Sequence, residues 1–186
     1  MLIRLRYGSA EVWGVDIQEQ AIDQFTQSLE ASDIDGIHPL LMDIKTIGGP
    51  LPMGRCDLVT CNPPYKAAGA GIVSDAPAEV IARHETACGI DDICRAGAKL
   101  LKYGGRLCLC NRPERLADVI CAMRAADVEP KRLRFVSKDE NTPPWLFLIE
   151  GRRGGKSFMN VERPLYMSSG GVSEELAMIY GMEPSE

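Results

Sequence analysis

Apolar residues recur at two spacings along this chain, and together the two spacings predict a mixed α/β protein. Dense apolar stretches of about five residues, bounded by glycine, proline or acidic residues, are typical of strands. An apolar residue at every third or fourth position is typical of a helix with one buried face. Strands are predicted over residues 11–16, 37–42, 57–61, 106–110, 133–137 and 145–150, with a further extended stretch over 160–167.

Helices are predicted between most of these strands. The clearest is the second, in which four apolar residues keep a 3.6-residue period. The turn Tyr103-Gly104-Gly105 is expected to end the third helix, because glycine favours the backbone conformation that follows a helix. The predicted helices occupy residues 2–6, 18–31, 77–101 and 113–126, and a last short one follows its cap, Ser173.

Strands that alternate with helices predict an open, doubly wound α/β sandwich with a mostly parallel sheet. The last two long strands are separated only by residues 138–144, which is short enough for a hairpin. We therefore expect an antiparallel edge on the sheet. The length of 186 residues suits one domain that spans residues 1–186.

Composition narrows the class of protein. No apolar run approaches the roughly 18 residues of a membrane-spanning helix, so a soluble cytoplasmic protein without membrane contact is expected. The seven cysteines are an odd number and none are in Cys-x-x-Cys spacing, which favours reduced thiols. His84 and Cys88 are four residues apart on a predicted helix, but without another plausible pair of ligands we expect no metal.

The sequence Asn62-Pro63-Pro64-Tyr65 carries the most specific chemistry, because it follows a predicted strand directly. The carboxyl ends of strands are where open α/β sheets bind ligands. The Asn62 side chain and the Pro63 carbonyl offer two acceptors, Pro64 holds the turn rigid, and Tyr65 offers an aromatic face. Two acceptors and a stacking ring suit a planar amine. The simpler alternative is a plain turn.

Asp16 closes the first predicted strand and directly precedes a helix. In a nucleotide-binding unit, an acid at this place accepts hydrogen bonds from ribose hydroxyls. The alternative is an ordinary helix cap. Asp43 closes the second predicted strand in the same way.

Charge is unevenly distributed along the chain. The net charge is −5, which is not typical of a nucleic-acid binder. Residues 124–163 nevertheless hold nine basic and six acidic side chains. Lys131, Arg132, Arg152 and Arg153 are the candidates in this segment for contacts to phosphate. A solvated face explains the same pattern equally well.

Taken together, these motifs resemble a known class of enzymes. The strand that ends at Asp16, the acid Asp43, the stretch from Asp57 to Tyr65 and the Gly104-Gly105 turn resemble the S-adenosylmethionine-dependent amino-methyltransferases with an Asn-Pro-Pro-Tyr motif. Four further stretches are similar to the bacterial valine-tRNA adenine-N6 methyltransferase family. They are residues 82–85, 111–118, 129–136 and 148–156. The likeness runs from about residue 10 to residue 181.

The resemblance implies a Rossmann-like fold and a role for each motif. S-adenosyl-L-methionine would be the cofactor and an adenine amine in tRNA the methyl acceptor. Asn62, Pro63 and Tyr65 would be catalytic, with Pro64 and Tyr65 also binding the base. Asp16 would hold the cofactor's ribose, and Asp43 would accept a hydrogen bond from its adenine amine. Asn62 would also lie against the cofactor.

This sequence departs from the family at its beginning. The family's first strand and glycine-rich loop are lacking, and that strand would lie between the strand ending at Asp16 and the strand ending at Asn62. We therefore expect a fragment, a truncated gene product or a misassigned start. One alternative is a non-catalytic remnant that binds RNA or a partner. Another is a methyltransferase acting on a protein glutamine.

Overall fold

The predicted strands and helices form two compact units in the computed structural model, one spanning residues 1–51 and the other residues 52–186. The structure describes residues 2–32, 34–63, 88–167 and 173–181. The proposal that the whole chain acts as one domain stays a prediction.

The first unit is a βαβ arrangement preceded by a short helix. Its two strands pair in parallel, from Val12 opposite Ile37 to Asp16 opposite Leu41. Gly14 lies in the first strand, and a Cβ there would lie 2.5 Å from the Phe25 ring of the second helix. Glycine thus lets this helix pack closely on the sheet. The elements are α1 (Leu2–Arg6), β1 (Val12–Asp16), α2 (Glu19–Ser32), β2 (Ile37–Leu41) and a 3₁₀ turn (Ile44–Thr46).

The second unit is a six-stranded mixed sheet with helices. Its strands are β3 (Cys56–Cys61), β4 (Leu101–Asn111), β5 (Val128–Ser137), β6 (Leu146–Arg153), β7 (Asn160–Val161) and β8 (Leu165–Tyr166). The strand order is β3-β4-β6-β5-β7, and β8 also pairs with β5, at residues further along β5 than those that pair with β7. Its helices are α3 (Ile90–Leu100), α4 (Leu116–Ala125), which follows a 3₁₀ turn at Pro113–Arg115, and α5 (Glu174–Tyr180).

The core of the second unit lies between one face of the sheet and the helices α3 and α4. Alternate residues of β4 and β6 are buried on this face, including Leu107 and Phe147, which are fully enclosed. A Cβ at Gly151 would lie 2.3 Å from Met123 of α4, so glycine permits this close contact of helix and sheet. A smaller cluster of Val136, Leu165 and Leu176 packs α5 against the sheet.

The mixed α/β class predicted from the sequence is confirmed. The antiparallel pairing was predicted at the edge of the sheet, but β6 lies inside the sheet because it pairs with both β4 and β5. The short strands β7 and β8 pair with β5 in parallel. In the described part of the chain, β1 pairs only with β2 and β3 only with β4. Within the described residues, each unit therefore has its own sheet.

One prediction about local structure was wrong. The turn Tyr103-Gly104-Gly105 does not end a helix, because α3 ends at Leu100 and these residues already belong to β4. The pairing of β3 and β4 shifts register between Cys56 and Leu58, and the extra residues of β4 form a bulge. Gly104 adopts a φ of 78° within this bulge, which is why a glycine pair stands there.

Candidate active site

Asn62 leaves the sheet at the carboxyl end of β3. The last paired residue of that strand is Cys61, opposite Leu109 of β4. Asn62 follows it and is exposed, whereas Pro63 is buried. The strand therefore ends directly before Asn62, as the sequence predicted. Pro64 and Tyr65, the other two residues of the motif, lie outside the described residues.

The Asn62 side chain contacts a residue that the sequence analysis did not single out. The Cys110 thiol donates a hydrogen bond to Asn62 Oδ1 over 3.0 Å. The parallel register explains the contact, because Cys110 follows the residue that pairs with Cys61. A thiol is a weak donor, and the contact places the amide oxygen of Asn62 on the side of Cys110.

Other thiols lie close to the end of β3, and their burial keeps them protonated. Burial raises the pKa of Cys61 to about 11, with the neighbouring Cys88 and Cys110 thiols acting in the same direction. Burial raises the pKa of Cys94 on α3 to about 12. All seven cysteines are free thiols. At neutral pH neither Cys61 nor Cys94 is a thiolate, so neither is suited to act as a nucleophile.

The two predicted cofactor acids lie at one sheet edge in the first unit. Asp16 is the last residue of β1 and pairs with Leu41, and Asp43 follows two residues after Leu41. Asp16 Oδ1 accepts a hydrogen bond from the Gln18 amide over 2.9 Å. Asp43 Oδ1 accepts one from the Lys45 amide, also over 2.9 Å, and caps the 3₁₀ turn. Each carboxylate thus shapes its own turn with one oxygen, and the other oxygen of Asp43 lies 3.9 Å from the Lys45 ammonium.

Arg152 and Arg153, two of the four predicted phosphate contacts, lie away from Asn62 along the strands. Arg152 pairs with Arg106 of β4, and Arg106 pairs with Leu58 of β3, so Arg152 is level with a residue four positions before Asn62. At about 3.3 Å per residue this is ~13 Å along the strand. Arg153 is one residue further away still, whereas Arg132 pairs with Glu150 and, through Cys108, is level with Thr60.

Each of these four cations has a partner within the protein. The Lys131 ammonium donates to the carbonyls of Lys156, Ser157 and Phe158 over 2.9, 3.1 and 2.7 Å. Arg152 Nε donates to the Gly104 carbonyl over 3.0 Å, and Arg153 donates to the Leu101 carbonyl. Lys131 and Arg153 in particular hold backbone in place, a role that the sequence pattern did not reveal.

Arg132 belongs to an ion-pair network on the face of the sheet opposite α3 and α4. It lies 2.7 Å from Glu162 and 3.4 Å from Glu150. These hydrogen bonds raise the pKa of Arg132 and lower that of Glu162. The network borders an open cavity of about 370 Å³ that Cys61, Cys108, Cys110 and Leu148 also line. The cavity therefore extends from the ion pairs to the thiols beside Asn62.

Neither a protein-family model nor a curated protein matches this sequence. Solved structures do match it. A predicted O-methyltransferase, protein Atu636 from Agrobacterium tumefaciens, has a TM-score of 0.77 at 19% identity and is matched over 96% of this chain and 81% of its own. Geranyl diphosphate C-methyltransferase from Streptomyces coelicolor A3(2), in complex with S-adenosyl-L-homocysteine, has a TM-score of 0.60 at 12% identity, over 82% and 65% of the two chains.

The fold is that of the Rossmann-like methyltransferases. A SAM-dependent methyltransferase from Aquifex aeolicus adds a further match, with a TM-score of 0.55 at 13% identity over 77% of this chain and 69% of its own.

Within the part of the chain that the structure describes, no helix is long and apolar enough to cross a bilayer. Nor do His, Cys, Asp and Glu residues form a group that could hold a metal ion there.

Proposed function

We propose that this chain is an S-adenosylmethionine-dependent methyltransferase that acts on the exocyclic amine of an adenine in tRNA. The observation that carries the proposal is the position of Asn62, which leaves the carboxyl end of β3 in a methyltransferase fold and is followed by the buried Pro63. An asparagine followed by proline at this edge provides acceptors for an amine. The tRNA substrate rests on the sequence resemblance.

Asp16 and Asp43 are suited to hold the cofactor. Both are acids at the carboxyl edge of neighbouring parallel strands, where a nucleoside finds acceptors for its ribose hydroxyls and its adenine amine. We assign the ribose to Asp16 and the amine to Asp43. When bound, S-adenosylmethionine supplies an electrophilic methyl group.

Asn62 and Pro63 would act on the substrate amine. The lone pair of an adenine amine is delocalised into the ring, so the amine is a poor nucleophile. Asn62 Oδ1 and the Pro63 carbonyl accept its two N–H groups and localise the lone pair on nitrogen. Positive charge grows on that nitrogen during transfer, so both acceptors bind the transition state more tightly than the ground state.

Deprotonation and base binding complete the proposal. The methylated amine is acidic enough while charged to lose its proton to water, so no strong base is required. Tyr65 would stack on the base, which is worth about 1–3 kcal/mol. The base must leave its stack to reach the site, and this costs least in a single-stranded loop.

A methyl-transfer assay on RNA with radiolabelled cofactor tests this function. Asn62→Ala should lower turnover roughly 100-fold, the scale of losing one transition-state hydrogen bond, while cofactor affinity stays close to that of the wild type. Thr60→Ala is the matched control, because Thr60 is exposed on the same strand two residues earlier. Near-normal turnover of Asn62→Ala would contradict the assigned role.

In the described part of the chain β1 pairs only with β2 and β3 only with β4, which favours a second candidate, a non-catalytic protein that binds RNA or a partner. Calorimetry with S-adenosylmethionine distinguishes the two functions, because the non-catalytic candidate requires no cofactor binding.

The protein-glutamine alternative is tested with a glutamine-containing peptide in the methyl-transfer assay. Methyl transfer to the peptide and not to RNA would replace the proposed substrate.

A further inference from the structure

Arg112 and Trp145 form a stacked pair on the surface of the second unit. The guanidinium carbon of Arg112 lies 5.6 Å from the centroid of the Trp145 ring. Arg112 Nη1 also donates a hydrogen bond to the Trp145 carbonyl over 3.0 Å. Trp145 nevertheless keeps 42% of its surface exposed. A large aromatic ring that is held in place and left open to solvent is suited to stacking.

The register of the sheet puts this pair at the same edge as Asn62. Arg112 directly follows Asn111, the last residue of β4, and Asn111 pairs with Phe147 near the start of β6. Trp145 directly precedes β6. Since β4 is the neighbour of β3 and β6 the neighbour of β4, Arg112 and Trp145 lie one and two strand spacings of about 4.8 Å to the side of Asn62. They also lie two and three residues, or ~7–10 Å, further along the strands.

The turn before Trp145 is held by local hydrogen bonds. Asp139 Oδ1 accepts hydrogen bonds from the Asn141 amide and the Thr142 hydroxyl, each over 3.0 Å. The Trp145 amide donates to the Val136 carbonyl over 3.0 Å, which continues the pairing of β5 and β6 into the turn. A ring on a preformed turn loses little conformational freedom when it binds a ligand.

The charges around the turn favour a base over a phosphate as the ligand. The turn before Trp145 carries Lys138, Asp139 and Glu140, so the turn itself brings no excess of positive charge. Phosphate contacts need such an excess, whereas base stacking on an aromatic ring tolerates a neutral surface. Enzymes that act on an extruded base commonly contact the flanking nucleotides beside the pocket.

We propose that the Arg112–Trp145 pair binds a nucleobase that flanks the target base in single-stranded RNA. This inference rests on the proposed function, because it uses Asn62 as the position of the target base. In this arrangement the flanking base stacks on the exposed surface of the Trp145 ring, and the Arg112 guanidinium keeps the ring in place from its own side. The contact selects for unpaired RNA and not for one particular base.

Fluorescence of Trp145 provides a direct test. The chain has two tryptophans, so Trp13→Phe leaves Trp145 as the only one. Titration with a short single-stranded RNA that contains adenine should quench Trp145, and Trp145→Leu should weaken binding at least fivefold. An RNA with an abasic site next to the adenine should bind the wild type at least fivefold more weakly than the intact RNA does. The same abasic site should hardly change binding to Trp145→Leu, because that variant has already lost the contact. Phe158→Leu, which changes an aromatic residue 91% exposed, is the control and should bind as the wild type does.

The outcomes separate this inference from the proposed function. Binding that depends on Trp145 without methyl transfer would support the inference and count against the function. Methyl transfer to RNA with unchanged affinity in Trp145→Leu would overturn the inference alone. An RNA that binds without altering Trp145 fluorescence would also overturn it, and absence of RNA binding to the wild type would overturn both.

Discussion

Cys110 donates a hydrogen bond from its thiol to the side-chain oxygen of Asn62 over 3.0 Å. These two residues are 48 positions apart and meet because β3 and β4 are parallel neighbours. The contact places the thiol against the oxygen that would accept the substrate amine, and an amide oxygen carries two lone pairs. Cys110 is therefore a positioning residue for Asn62 within the proposed mechanism.

Substitution of Cys110 should slow methyl transfer without weakening substrate binding. Cys110→Ala removes the donor, so turnover should fall about fivefold, on the scale of ~1 kcal/mol for one net hydrogen bond, with an unchanged KM for RNA. Cys110→Ser retains a donor and should restore most of the rate. Cys108→Ala, two residues earlier on the same strand, is the control.

A spectroscopic measurement checks the same contact independently of activity. The side-chain amide signals of Asn62 in a nitrogen-15 spectrum should shift in Cys110→Ala and return towards their wild-type positions in Cys110→Ser. Identical Asn62 signals in all three proteins would show that the thiol does not orient the amide.

Lys131 should matter for stability. Its ammonium donates to three successive carbonyls at residues 156–158, and Phe158 adopts a φ of 83°, which is unfavourable for a residue with a side chain. Lys131→Met keeps much of the apolar stem and removes the donors, so we expect a loss of about 1–2 kcal/mol in the free energy of unfolding. Urea denaturation measures it. Lys99→Met, at an exposed position on α3, should change stability little.

Arg132 and Arg152 are the better residues for testing phosphate contacts, because both are exposed. If they contact RNA, replacing both with alanine should weaken tRNA binding. It should also reduce the slope of log affinity against log salt by about 0.7–0.9 per lost contact. Affinities at several salt concentrations give the slope. An unchanged slope would mean that this segment serves the protein's own structure.

The ion pair between Arg134 and Glu175 should make stability depend on pH. The Arg134 guanidinium, 2.6 Å from Glu175, lowers the pKa of that carboxyl. A carboxyl with a lowered folded-state pKa stabilises the protein above its unfolded pKa of about 4.3. This contribution is lost as the pH falls through the folded-state value.

Thermal melts at decreasing pH measure this dependence. Glu175→Gln should melt below the wild type at neutral pH, and the two midpoints should converge in acid, below the folded-state pKa of Glu175. Glu174→Gln removes the same charge one residue earlier and should keep the wild-type pH dependence. A constant difference between wild type and Glu175→Gln from neutral pH into acid would contradict the assignment.

The local structure around the site could be predicted from the sequence because it depends on neighbours along the chain. Apolar residues followed by Asn62 and Pro63 specify a strand that ends in a turn, and β3 ends where expected. Ser173 was predicted to cap a helix, and its hydroxyl accepts a hydrogen bond from the Leu176 amide over 3.3 Å. Caps, turns and periodic burial involve residues within a few positions of one another.

Strand pairing and charge pairing were decided only by the tertiary structure. The sequence predicted a hairpin at residues 138–144, but not that β6 would lie between β4 and β5. It marked Lys131 and Arg132 as candidates for phosphate contacts, whereas the fold brings them to carbonyls and carboxylates up to 30 residues away. It gave no signal for Cys110, because only the parallel register of two strands brings that thiol to Asn62. Such contacts join residues that are distant in sequence, and the free energy that selects them comes from burying one whole face of the sheet.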